Sequence, residues 1–162
     1  MRRIASTAGG IVVVTIGIPA VLALASLAVD RRIGWQLPSA LWPVGAAFVV
    51  AALAIVAWGH LHLWRAGGSS TPIAPAERLA TSGPFAYSRN PMYVAWIALL
   101  AGLALGLASP ALLLATVTMA AIVAAYVRRV EEPELARRFG RSYEAYRARV
   151  PRFLPLGTRA YK

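Results

Sequence analysis

The sequence predicts an all-α integral membrane protein with four transmembrane helices, the last two a short helical hairpin, and a C-terminal amphipathic helix. Three observations predict it. Four apolar stretches, residues 4–29, 41–63, 91–107 and 111–127, contain no charged side chain. Hydrophobic residues make up 59% of the 162-residue chain, more than a soluble domain of this length could bury. The basic residues, finally, are confined almost entirely to one predicted side of the bilayer.

Residues 4–29 form the first predicted span. At ~1.5 Å per residue they reach about 39 Å, enough to cross a bilayer with tilt. Arg2 and Arg3 precede this stretch and Asp30, Arg31 and Arg32 follow it. The competing reading is a signal peptide cleaved near Ala23-Leu24-Ala25, but the apolar stretch exceeds the ~7–15-residue core of such signals. Residues 41–63 form the second span, with Trp35, Trp42, Trp58 and Trp64 near its ends as interfacial aromatics. His60 and His62, two residues apart on a helix, diverge and make a poor metal pair, and no metal site is expected.

Residues 65–90 form a loop rich in Gly, Ser and Pro. Residues 91–107 and 111–127 are joined only by Ala108-Ser109-Pro110, so they must return antiparallel. With both termini cytoplasmic, fifteen Lys and Arg face the cytoplasm and only Arg31 and Arg32 face the other side. That asymmetry orients the chain. The loop and the basic tail, residues 128–162, therefore share a compartment. Pro133 is expected to break the fourth helix and open a new one. There Leu135, Phe139, Tyr143 and Tyr146 form an apolar stripe, with Arg137, Arg138 and Arg141 on other faces.

The net charge of +11 is concentrated in that tail, which predicts contact with anionic lipid headgroups. No nucleic-acid motif accompanies the charge, so nucleic acid is not an expected partner. The absence of cysteine excludes thiolate nucleophiles and cysteine-ligated metals. No Rossmann-type glycine fingerprint follows a strand.

Two polar stretches remain unexplained by membrane insertion. In SGPFAYSRNPMY, residues 82–93, Asn90 and Pro91 suit a helix N-cap and first turn. Phe85, Tyr87, Arg89 and Tyr93 crowd around them without such a reason. A helix start beside an arginine can hold a carboxylate or phosphate. The second stretch is Glu131-Glu132, placed where the fourth span meets the headgroups. An ion pair of Glu132 with Arg128 at i,i+4 is one account. A carboxylate facing a ligand is the other.

The order of these pieces resembles the isoprenylcysteine carboxyl methyltransferase and phospholipid methyltransferase families of integral membrane enzymes. Their G-P-[YF]-x-[YF]-x-R-[HN]-P-x-Y pattern is met by residues 83–93. Their E-E-x-x-L-x-x-x-[FY]-G-x-x-Y-x-x-Y pattern is met by residues 131–146, after a helical hairpin. The resemblance covers roughly residues 71–155 and implies S-adenosylmethionine as cofactor, used on a lipophilic small molecule at the cytoplasmic face of a bacterial inner membrane. It implies cofactor contacts from Leu79, Gly83, Phe85, Tyr87, Arg89, Asn90, Pro91, Tyr93, Glu131 and Glu132. Arg89, Glu132 and Arg147 are the candidates for the reaction itself, with Arg89 or Arg147 orienting a carboxylate substrate. Asn90 stands where the best-known carboxyl methyltransferases have His, and an amide exchanges no proton near neutrality. Methyl transfer from a sulfonium asks for in-line alignment more than acid–base help. Two other classes fit parts of the pattern. One is a non-catalytic membrane protein whose tail binds anionic lipid or a protein. The other is a reductase, since membrane sterol reductases resemble the same helical core. The methyl acceptor, the choice between Glu131 and Glu132, and the oligomeric state stay open.

Overall fold

The computed structural model describes residues 16–65 and 79–154. Residues 4–15 of the first predicted span, residues 66–78 of the predicted 65–90 loop and the end of the tail lie outside the described residues. The regular secondary structure of the described residues is all helical, with no strand among them. Four helices make the bundle: α1 (Ile18–Ile33), α2 (Trp42–Arg65), α3 (Pro91–Gly106) and α4 (Pro110–Tyr126). A π-helical turn, Val127–Glu131, leads from α4 into α5 (Glu132–Phe139), and α6 (Arg141–Arg149) follows. Among the described residues, two helices are long and apolar enough to cross a membrane: Ser39–Leu63, of 25 residues, and Pro110–Phe139, of 30.

Small residues let α2 and α3 meet backbone to backbone. Gly45, Ala52 and Gly59 recur every seven residues and so share one face of α2. A Cβ at Gly45 would lie 2.5 Å from the Gly106 nitrogen and 2.6 Å from the Gly102 oxygen. At the other end of the seam, one at Gly59 would lie 2.5 Å from Met92 Sδ. Such small-residue seams are how apolar helices associate when large side chains gain nothing by leaving lipid. The outward positions agree: Leu24, Val50 and Leu114 are 69%, 68% and 65% exposed, whereas Ala52, Ala95 and Ala104 are fully buried. Ala23, in the segment read alternatively as a cleavage site, lies within α1 and packs with Leu100, Ala104 and Leu112.

Three boundaries differ from expectation. The first span, expected to end at Val29, runs on to Ile33 and is closed by Gly34 in the left-handed region (φ 76°), whose N–H donates to Asp30 O. Asp30 is consequently buried rather than a loop charge. Its carboxylate accepts the Ser109 hydroxyl and, at 3.0 Å, the Ala111 N–H. Ser109 Oγ in turn caps α4 by accepting Leu112 N–H at 3.1 Å. The α3–α4 turn, which carries no charge in its own sequence, thus borrows one from α1, where the positive end of α4 favours it.

The second difference is at Pro133, which does not break the fourth helix. The Glu132 N–H donates to Val127 O, a wider i→i+5 turn, and Pro133 follows in the first turn of α5, where a missing N–H costs little. The third is the amphipathic helix, which is two short helices instead of one. Gly140 interrupts it with φ +50°, a conformation that side-chain-bearing residues resist. Tyr143 and Tyr146 are buried at 1% and 3% exposure, while Leu135 and Phe139 are half-buried.

Candidate functional site

The antiparallel hairpin brings the start of α3 and the end of α4 to the same end of the bundle. The polar strip before α3 and the carboxylates after α4 meet there. Arg89 Nη1 lies 2.8 Å from Glu132 Oε1, and the two side chains are 9% and 6% exposed. Arg89 Nη1 also donates to the Tyr143 hydroxyl at 3.4 Å. The local pair of Glu132 with Arg128, one of the two accounts the sequence offers, is not formed among the described residues, and Glu132 meets this distant arginine instead.

A third partner completes the cluster. Arg152 Nε donates to Glu132 Oε1 at 2.9 Å and Arg152 Nη2 to Oε2 at 2.7 Å, a two-point fork. Two guanidiniums thus share one carboxylate, which keeps Glu132 ionised and leaves one positive charge in the cluster. Arg152 was not among the expected site residues. In the sequence it is one basic residue among ten in a tail, flanked by prolines that read only as helix terminators.

The tail also holds the strip through its backbone. Arg89 N–H donates to Pro151 O at 2.9 Å. Arg152 O accepts the Asn90 side-chain amide at 2.9 Å and the Ser88 hydroxyl at 3.4 Å. Asn90 occupies the N-cap position of α3, but its side chain makes no capping bond and reaches for the tail instead. Tyr146 donates its hydroxyl to Phe85 O at 2.7 Å. Burial pushes the Tyr146 phenol up, and burial with the nearby Glu132 carboxylate pushes Tyr143 up, so both phenols stay protonated, Tyr146 donating to Phe85 O and the Tyr143 oxygen accepting from Arg89.

Glu131 faces elsewhere. Successive helical residues diverge by about 100°, and Glu131 pairs with the Tyr93 hydroxyl while Glu132 meets the arginines. Two atoms here are buried without a hydrogen-bond partner among the described residues, the donor Arg89 Nε and the acceptor Glu131 Oε2. Buried polar groups left so are uncommon and call for an explanation.

The remaining expected residues are more dispersed. Gly83 adopts φ +62°, and a Cβ there would lie 2.7 Å from the His62 ring, so its glycine serves the loop's seat on α2. His62 Nε2 and Ser82 Oγ, 2.8 Å apart, hold the same seat. Tyr87 is 66% exposed and meets Trp58 at 6.2 Å between ring centroids. Leu79 is half-buried at the start of the described strip, and Pro91 is buried at the start of α3. Arg147 points outward, 48% exposed at its side chain, 3.7 Å from Glu144. It lies near enough to Glu132 to be felt electrostatically but makes no bond to it.

Beside the charged cluster, on the α2 side, is an apolar crevice of about 140 Å³. Ile55, Trp58, Pro84, Pro91, Val94 and Phe153 line it. The strip and the tail therefore each present one face to the charges and another to this apolar space.

No curated protein matches the chain in sequence. A family model described as phospholipid methyltransferase matches residues 13–142. That stretch contains the strip, the hairpin and both glutamates, and the chain belongs to the phospholipid methyltransferase family, whose members are membrane methyltransferases.

Proposed function

We propose that this protein is an S-adenosylmethionine-dependent methyltransferase of a lipophilic small molecule, similar to the isoprenylcysteine carboxyl methyltransferases. In this reading four helices span a bacterial inner membrane, and the Arg89–Glu132 end lies at the cytoplasmic face. One observation carries the proposal: Arg89 and Glu132, from the two motif stretches, are in direct contact at 2.8 Å although 43 positions apart in the chain.

The residues present fit the amino-acid end of that cofactor. It offers a carboxylate and an ammonium, and the site has a partnerless buried donor in Arg89 Nε and a partnerless buried acceptor in Glu131 Oε2. The cluster's residual positive charge favours an anionic group, while Glu131 favours a cationic one. When bound, S-adenosylmethionine supplies a methyl group on a sulfonium, ready for in-line displacement. Alignment is what this chain then contributes. Glu132 fixes the Arg89 guanidinium, and the tail fixes the strip that carries it.

The acceptor is read from the crevice and from the charges. Its apolar lining takes part of a hydrocarbon chain, reached from the bilayer. A carboxylate acceptor needs no base, and Arg147, exposed on α6 and within electrostatic reach of Glu132, would meet one as it arrives. Arg137, Arg138 and Arg141 are exposed on the tail helices, where anionic headgroups would meet them.

The test is cofactor binding to the protein in nanodiscs, by titration calorimetry, for the parent and for Arg89→Ala and Glu131→Gln. Binding by the parent, weakened at least about tenfold in each variant, is expected from the loss of one charged hydrogen-bonding group. No binding by the parent would turn the assignment toward a lipid-binding protein, and binding of NADPH instead would turn it toward a reductase.

A further inference from the structure

Residues 150–153 leave α6 and cross the polar strip. Pro151 and Arg152 supply backbone carbonyls to Arg89, Asn90 and Ser88, and the Arg152 side chain turns back to grip Glu132. One residue therefore holds the strip with its carbonyl and the carboxylate with its guanidinium. Its basic neighbours behave differently. Among the described residues Arg147 pairs loosely with Glu144, and the exposed Arg149 bonds to Ala145 O on its own helix. Arg152 also lies beyond residue 142, where the family match ends.

Glu132 Oε1 lies between Arg89 Nη1 at 2.8 Å and Arg152 Nε at 2.9 Å. A carboxylate held by one guanidinium alone can rotate about its last torsion. A forked second guanidinium fixes its plane, and a Lys ammonium, a single point of charge, does not. The direction in which Arg89 presents its remaining donor depends on that plane.

We propose that Arg152 is a positioning residue of this site and not part of the lipid-facing basic surface. Through Glu132 it sets the orientation of the Arg89 guanidinium, and through its carbonyl it sets the Ser88–Asn90 backbone. The consequence for cofactor affinity rests on the function proposed above; the consequence for the strip does not.

Two measurements on the full chain in nanodiscs test it, using Arg152→Ala, Arg152→Lys and the outward-facing Arg149→Ala. The first is amide hydrogen exchange in the peptide containing Ser88, Arg89 and Asn90. Exchange at least about tenfold faster is expected in Arg152→Ala, a smaller change in Arg152→Lys, and none in Arg149→Ala. The second is the S-adenosylmethionine dissociation constant, expected to rise about tenfold or more in Arg152→Ala and to recover partly in Arg152→Lys. A general loss of folding would speed exchange in α2 and α3 as well, and Arg152→Lys then decides. Unchanged exchange of the strip in both Arg152 variants would overturn the proposal. So would a parent that binds the cofactor with an Arg152→Ala variant that binds it equally well. A parent that binds no cofactor would defeat the proposed function alone, and the exchange measurement would still decide the role of Arg152.

Discussion

Asp30 and Glu132 are buried to nearly the same degree, 6% and 5% exposed, at opposite ends of the helical bundle, yet they are satisfied by opposite means. Asp30 has only neutral donors, the Ser109 hydroxyl and the Ala111 N–H at the start of α4. Glu132 has two guanidiniums. The first arrangement closes a turn with what the backbone and one hydroxyl offer, and it leaves nothing over. The second joins three chain segments and retains a net positive charge. A carboxylate that merely pins helices together needs no arginine; the charge gathered at the Glu132 end is what the proposed binding of a charged ligand would draw on.

The sharpest way to break this contrast is Glu132→Ala, which leaves Arg89 buried without its counter-charge. A loss of about 3–5 kcal/mol in folding stability is expected, because removing one partner of a buried pair strands the other. Thermal or denaturant unfolding in detergent would measure it. Gly45→Ala comes next, since its Cβ would collide with the α3 backbone at Gly102 and Gly106 and drive the seam apart. Overpacking of this kind costs about 1–3 kcal/mol, and the displaced α3 would disturb both ends together. Asp30→Asn offers one acceptor where two donors converge, so about 1–2 kcal/mol is expected from the imperfect pairing. Its signature is selectivity: exchange protection falls at Ser109–Leu112 and stays intact in the strip. The smallest effect belongs to Tyr146→Phe, which removes the hydroxyl from Phe85 O and lowers stability by about 0.5–1.5 kcal/mol. Faster exchange confined to the Phe85 region would mark it, and a change near Ser109 would contradict the separation of the two ends.

Much of this architecture was legible because its signals are local. Asn90-Pro91 marks a helix start, and α3 begins there, whereas Pro110, read as the end of the joint, is the first residue of α4. The short joint between them dictated an antiparallel return, and that return alone brings residues near 89 and 132 together. Local reasoning failed where a distant group changed the cost of a residue. A charge after Val29 reads as the end of a span, but Ser109, 79 positions away, lets Asp30 stay buried within the helix. Proline after a long helix reads as a break, but a π-helical turn absorbs it at Pro133. The stripe from Leu135 to Tyr146 reads as one helix face, but the backbone at Gly140 divides it.

Composition and periodicity sufficed for the helical class, the membrane setting and the meeting of strip and glutamates at one end, since apolar length, charge placement and joint length act along the chain. Which carboxylate meets the arginines, which tyrosine hydroxyl reaches the strip, and which of the described tail arginines grips Glu132 could come only from the folded chain. Adjacent helical residues point about 100° apart, so Glu131 and Glu132 are indistinguishable as letters and separated by what each one faces. Arg152 is one basic residue among many until its carbonyl and its guanidinium are seen holding two different segments at once.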